Sequence, residues 1–297
     1  MVAKANAPAL SWGTRTFIMG IVNCTPDSFS GDGVTDVETA VDQGLRFVDE
    51  GADVLDVGGE STRPGAEAVG EEEEGQRVLP VIEKLAARVQ VPISVDTSRA
   101  EVAQAALAAG ATIVNDVWGL QRDANLKQVV ALSGAWVVLM HNRAAPPVVG
   151  ELGGHYHRVP YDSDDIVEAV GAELERRVAE AENAGIDRDR IIVDPGIGFG
   201  KSVEQNLELL RRLGELKRRP GLGGLPLLIG TSRKSVVGLT LNLPIGERLE
   251  GTLATLALAI SQGADIVRVH DVRAAVRCCR MADAIVRGMP AVEGKNG

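Results

Sequence analysis

Short apolar runs that end abruptly in polar residues recur along this chain. The fullest example is Val54-Leu55-Asp56-Val57, which passes into Gly58-Gly59-Glu60-Ser61-Thr62-Arg63-Pro64-Gly65. Such a run suits a strand buried on both faces, and the switch to glycine and polar side chains puts chemistry at its carboxyl end. The same pattern predicts strands over 17–22, 53–57, 92–95, 112–114, 136–140, 191–193, 225–229 and 265–269. Helical periodicity fills the intervals. Thr35 with Glu38, Ser98 with Glu101 and Ser202 with Gln205 read as capping boxes. Val78, Leu79, Ile82, Leu85, Ala86 and Val89 share one helical face behind the acidic run Glu71–Glu74, which favours the positive end of the helix dipole.

Eight strands in strict alternation with helices predict a parallel sheet. Over 297 residues, that number of units suits an α/β fold of the (β/α)8 TIM barrel type. The alternative is an open doubly wound sheet, but no Gly-x-Gly-x-x-Gly loop follows the first strand. No composition shift divides the chain, so one domain is expected over 16–288, with flexible ends at 1–15 and 289–297. Residues 144–163 carry prolines, glycines, His155 and His157 without periodicity and read as a long loop.

Composition narrows the function. Aromatics make up 3% and apolar residues 45%, so the core is built from Ala, Val, Leu and Ile. A net charge of −10 argues against a nucleic-acid partner. Cys24, Cys278 and Cys279 offer neither a disulfide framework nor zinc spacing, which fits a reducing cytoplasm. No run has the length of a membrane span, and the first residues lack a signal-peptide core. The expectation is a cytoplasmic protein with no membrane partner.

In a barrel the carboxyl ends of all strands share one rim. Asn23, Asp56, Asp96, Asn115, His141, Asp194, Lys234 and His270 are therefore expected to face one mouth. Asp96, Asn115 and Asp194 offer acceptors and one amide to a flat heterocycle rich in N–H groups, and carboxylates there can hold positive charge that develops on the ring. Arg63, Arg233, Lys234, Arg268 and His270 suit phosphate oxygens, at about 1.5–3 kcal/mol for each charge-assisted bond. Asn23 is a candidate magnesium contact, because Mg²⁺ takes few protein oxygens and keeps its waters. His155 and His157 lack the third partner that a metal site needs. Residue chemistry alone reaches a phosphorylated or diphosphorylated heterocycle.

Seven motifs, taken in order, resemble the dihydropteroate synthase family. They are Met19-Gly-Ile-Val-Asn-Cys-Thr-Pro-Asp-Ser-Phe-Ser30, Asp56-Val-Gly-Gly-Glu-Ser-Thr-Arg-Pro-Gly65, Ser94-Val-Asp-Thr97, Asn115-Asp116, Asp194-Pro-Gly-Ile-Gly-Phe-Gly-Lys201, Gly230-Thr-Ser-Arg-Lys-Ser235 and Arg268-Val-His-Asp271. The resemblance implies condensation of 6-hydroxymethyl-7,8-dihydropterin diphosphate with p-aminobenzoate, through an SN1-like pterin cation. By the same resemblance Asp96, Asn115, Met140, Asp194 and Lys234 hold the pterin. Asn23, Thr62, Arg63, Arg268 and His270 hold the diphosphate, with Mg²⁺ on Asn23. Phe29, Thr62, Pro64, Phe199 and Ser235 line the aminobenzoate pocket, and Asp96, Lys234, Arg63 and Asp194 are the catalytic set. A homodimer through helices late in the chain is also implied. Two rival readings share the barrel: a pterin-binding methyltransferase domain, and a paralogue that binds without turnover.

Overall fold

The computed structural model describes residues 10–25, 36–60, 69–143, 161 and 163–288. Strand and helix alternate from the start: β1 (Phe17–Asn23), α1 (Val37–Asp49), β2 (Val54–Gly58), α2 (Glu71–Ala86), β3 (Ile93–Asp96), α3 (Ala100–Ala108), β4 (Ile113–Asp116), α4 (Leu126–Ser133) and β5 (Trp136–Met140). The second half adds α5 (Ile166–Asn183), β6 (Ile191–Asp194), α6 (Val203–Arg211), α7 (Leu213–Lys217), β7 (Leu228–Ile229), α8 (Ser235–Leu241), α9 (Leu249–Ser261), β8 (Ile266–Val269) and α10 (Val272–Val286). All pairings are parallel, in the order β6-β5-β4-β3-β2-β1-β8-β7. The remaining seam is closed by the bridge between Val193 and Leu227, where the Val193 N–H donates to the Pro226 carbonyl at 3.0 Å. The fold is the expected eight-stranded barrel.

Two apolar clusters divide the strands by residue parity. Phe17, Met19, Val54, Ile113, Trp136, Val138, Ile192, Leu228 and Ile266 fill the barrel interior. The intervening residues, such as Ile18, Leu55, Val114, Val137 and Val267, pack outward under the helices. Side chains two apart on a strand share a face, so the register fixes what lies above this floor. Above Val54 stands Asp56, above Ile113 Asn115, above Ile192 Asp194, and above Ile266 Arg268. Apolar below and polar above, the interior becomes a lined mouth at the carboxyl end.

The boundary expected at residue 16 falls earlier. Leu10 and Trp12 pack against the interior cluster, with Trp12 edge-on to Phe17 at 5.0 Å and to Trp136 at 5.5 Å. Arg15 meets both oxygens of Asp53, at 2.7 and 2.6 Å. Residues 10–15 thus stopper the amino-terminal end of the barrel and are not a free segment.

Helix caps agree with the sequence in part. Ser202 and Gln205 form the expected capping box. The cap of α1 is Asp36, whose carboxylate accepts from the Thr39 N–H, and Thr35 lies outside the described residues. Ser98 and Glu101 form no box; the Ala100 N–H is taken by Asp123, 23 residues away, at 2.8 Å.

Candidate active site

The mouth is organised by one part-buried guanidinium. Arg268 reaches from β8 across the interior, donating from Nε to Asp56 Oδ2 and from Nη2 to Asp96 Oδ2, each at 2.6 Å. Asp56 is fully buried and also accepts from Asn115 Nδ2 at 3.0 Å. Strand register sets these meetings: Asp96 lies beside Gly58 on one flank and Asn115 on the other. Four neighbouring strands, counted from β8 through β1 and β2 to β3, therefore bring one arginine within reach of two acids.

Electrostatics follow from burial. Desolvation pushes Asp96 up to about 7; Arg268 opposes this and the nearby Asp56 and Asp116 add to it. Asp194 is raised for the same first reason, with Lys234 opposing. Burial draws Lys234 down to about 8 against the pull of Asp194. Burial also works against the charge of Arg268, but Asp56 and Asp96 outweigh it and hold the guanidinium charged.

The loop after β6 supplies the second wall. Gly196, Gly198 and Gly200 all have left-handed φ, of 66°, 87° and 61°. At Gly196 a Cβ would sit 1.9 Å from the His141 carbonyl oxygen, so glycine is required for space as well as for φ. Asp194 accepts from the Gly196 N–H at 2.7 Å. The Ile197 carbonyl accepts from Lys234 Nζ at 2.6 Å, and that ammonium lies 4.6 Å from the centre of the Phe199 ring. Phe199 packs with Val117, Trp118 and Met140 in an apolar cluster of its own. A slot with an acid–arginine floor and an aromatic–thioether wall suits a flat polar ring.

The donor side is formed by the β7 and β8 loops. Lys234 is the residue before α8, and Ser235 opens that helix. His270 Nδ1 is 3.0 Å from Ser232 Oγ. On the opposite flank, Arg99 donates to the Val69 carbonyl at 2.5 Å and pairs with Glu60 at 3.2 Å and with buried Glu74. One guanidinium thus ties down the described residues on both sides of 61–68.

Asp56, Asp96, Asn115, Met140, Asp194, Phe199, Lys234 and Arg268 are brought together as expected. Asn23 ends β1 beside Gly58. Phe29, Thr62, Arg63 and Pro64 lie outside the described residues. Two expectations are corrected. His141 does not face the mouth: Trp136, Val138 and Met140 take the inward parity of β5, and His141 turns outward. There it is fully buried, 3.3 Å from Glu173 Oε2, and burial lowers it to about 3. Arg233 is not a free phosphate donor, since Asp271 holds it through two bonds of 2.9 and 2.7 Å. Beyond the expected roles, Asp56 is the shared acceptor and Lys201 a buried donor; an acid inside a buried strand and a lysine ending a glycine-rich run are their visible signals in the sequence.

The pattern of the family described as pterin binding enzyme matches residues 19–270. The barrel and its mouth are those of a pterin-binding enzyme. The dihydropteroate synthase of Clostridium beijerinckii is 44% identical over 286 residues, 96% of this chain and 99% of that one. Among solved structures, dihydropteroate synthase from Clostridium difficile in the presence of pteroic acid has a TM-score of 0.84 at 46% identity, covering 94% of this chain and 100% of that one. The Xanthomonas albilineans enzyme with 4-aminobenzoic acid has a TM-score of 0.80 at 44% identity, covering 93% and 94%. This chain belongs to the dihydropteroate synthase family.

The glycine loop gives a direct test. Gly224→Ala, at φ +82° with open space around the Cβ, should cost only the left-handed backbone penalty of about 1–2 kcal/mol. Gly196→Ala adds a collision with backbone and should lose more than about 3 kcal/mol in urea unfolding. Equal losses for the two would mean that the β5–β6 contact is not tight.

Proposed function

We propose that this protein condenses 6-hydroxymethyl-7,8-dihydropterin diphosphate with p-aminobenzoate, giving 7,8-dihydropteroate and pyrophosphate. The observation that carries the reading is the slot itself, where buried Asp56 and Asp194 and part-buried Asp96 face Arg268 and Lys234 beside the Phe199–Met140 wall. Asp96, Asn115, Met140, Asp194 and Lys234 hold the pterin. Asn23, Thr62, Arg63, Arg268 and His270 hold the diphosphate, and Phe29, Thr62, Pro64, Phe199 and Ser235 bound the aminobenzoate. Arg268 Nη1 remains for an anion, because Nε and Nη2 are spent on Asp56 and Asp96.

The bond from the pterin methylene carbon to the diphosphate oxygen breaks first, and its electron pair leaves with pyrophosphate. Positive charge then spreads from the methylene into the ring, above fixed carboxylates that need no reorganisation to receive it. The aniline nitrogen bonds to the methylene carbon and gives up a proton. A neutral aniline is already nucleophilic, so the site needs no strong base.

Asn23 fits a magnesium contact. Its amide makes no hydrogen bond among the described residues, and no group of three His, Cys, Asp or Glu side chains there could hold a metal. One protein oxygen supplemented by phosphate oxygens and water is how Mg²⁺ is commonly held. When bound, Mg²⁺ neutralises charge on the departing diphosphate.

Measuring pyrophosphate and 7,8-dihydropteroate together tests the reading. With p-aminobenzoate present, the two products should form in equal amounts. A methyltransferase releases no pyrophosphate, and a binding-only protein takes up pterin without turnover; either result sinks the synthase reading.

The ionisations give a second test. Asp96 must be charged and Lys234 protonated, so kcat/KM for the pterin substrate should rise with pH through about 7 and fall through about 8, because this ratio reports free-enzyme groups. Asp96→Asn should lower kcat by about 10²–10³-fold, more than it weakens pterin binding, and should erase the acid limb. An acid limb that survives the substitution would remove Asp96 from this role.

The active form is a homodimer, joined through the last helices. Leu239 and Leu241 on α8, Leu258 on α9, and Met281 and Ile285 on α10 are large apolar side chains left exposed, with Ile285 at 73%. Apolar groups gathered on adjacent helices mark an interaction face. Leu258→Asp should shift the protein to monomer in analytical ultracentrifugation; an unchanged mass would place the interface elsewhere. No helix among the described residues is long and apolar enough to cross a membrane. The free thiols of Cys24, Cys278 and Cys279 support a cytoplasmic site of action.

A further inference from the structure

Lys201 closes the same glycine-rich signature that begins with Asp194. Its side chain is fully buried. Its ammonium carries three N–H groups and meets carbonyls of Gly196 at 2.9 Å, Phe199 at 3.0 Å and His141 at 3.5 Å. Two of these oxygens come from the loop after β6 and the third from the end of β5, so one cation gathers backbone from two adjacent strand ends. They converge because left-handed φ at Gly196, Gly198 and Gly200 folds the loop back on itself. Without a donor among them, three carbonyl dipoles would face one another in a site closed to water.

That loop is also the seat of Lys234. Its Ile197 carbonyl takes the Lys234 ammonium and its Phe199 ring lies beneath it. Gly198 lies alongside the lysine stem, where a Cβ would come 3.0 Å from Lys234 Cδ. The polar and ring contacts of Lys234 on this side, with Ile197 and Phe199, belong to the segment that Lys201 gathers.

We propose that Lys201 is a positioning residue for the condensation: a tethered cation that shapes the 194–200 loop and, through Ile197 and Phe199, sets the place of Lys234. The proposal rests on the role given to Lys234 under the proposed function. It differs from a simple packing role in two ways. Its effect passes through Lys234, and the job is one that a small free cation can do, since carbonyl oxygens can replace the hydration shell of such an ion.

The test is a double-mutant cycle in kcat/KM for the pterin diphosphate, using Lys201→Ala, Lys234→Ala and the pair, with folding checked by circular dichroism. Each protein is assayed in tetramethylammonium chloride and in ammonium chloride at equal ionic strength. Lys201→Ala should lose about tenfold or more in tetramethylammonium and regain most of it in ammonium. The double variant should lie within about twofold of Lys234→Ala alone. A folded Lys201→Ala with unchanged kcat/KM, losses that multiply in the double variant, or a deficit that ammonium does not relieve overturns the proposal. Should the alanine variant not fold, Lys201→Gln, which keeps two N–H donors, carries the same cycle, and multiplying losses there overturn it equally. If Lys234→Ala by itself leaves kcat/KM unchanged, the assignment of Lys234 fails, a result distinct from any failure at Lys201.

Discussion

The link from Asp56 through Arg268 to Asp96 is the constraint on which the mouth depends. Removing a charge from water costs several kcal/mol even after the protein relaxes, and here three charges are taken in together. Each is satisfied by another: Arg268 by two carboxylates, Asp56 by Arg268 and Asn115. A buried carboxylate without such a partner takes up a proton instead. The arginine therefore does more than bind; it opposes the rise that burial imposes on Asp96. Asp96, raised to about 7 even with Arg268 beside it, shows how close that balance runs.

The barrel makes the link possible because parallel strands in register turn sequence parity into geometry. Arg268 and Asp56 are 212 positions apart, yet each stands two residues above an apolar floor residue on its own strand. Parity also explains what strand ends alone could not tell. Asn115 faces in and Asp116 faces out, where it accepts from the Trp118 and Leu120 N–H groups and fastens the turn after β4. Met140 faces in and His141 out. Reading the rim as whatever polar residue follows a strand placed His141 in the mouth by a one-residue error, and one residue is enough to change faces.

The strands were legible because a parallel barrel buries both of their faces, and both faces are therefore apolar. Local devices were legible only where their chemistry was local. Ser202 and Gln205 cap each other within four residues, but α3 draws its cap from Asp123 on another loop. Likewise, Arg233 looks like a phosphate donor until Asp271, 38 residues on, is seen to hold both arms of it. Long-range pairing of charges leaves no periodicity in a sequence, and no count of residue types supplies it.

Two lysines near Asp194 show how environment divides one side chain into two kinds of work. Lys201 is enclosed by backbone oxygens, and burial lowers it to about 7; Lys234 stands over an aromatic ring, and burial lowers it to about 8. Among the described residues neither is held by a carboxylate in direct contact. Both act on Asp194 through the interior, where fields are weakly screened. Negative charge thus persists on the floor while positive charge is kept at the wall. A substrate that arrives with a donor-rich ring and an anionic tail meets this separation already built. When the tail departs and leaves the ring positive, the acids beneath it are in position before the charge appears, which is what distinguishes stabilising a transition state from binding a substrate.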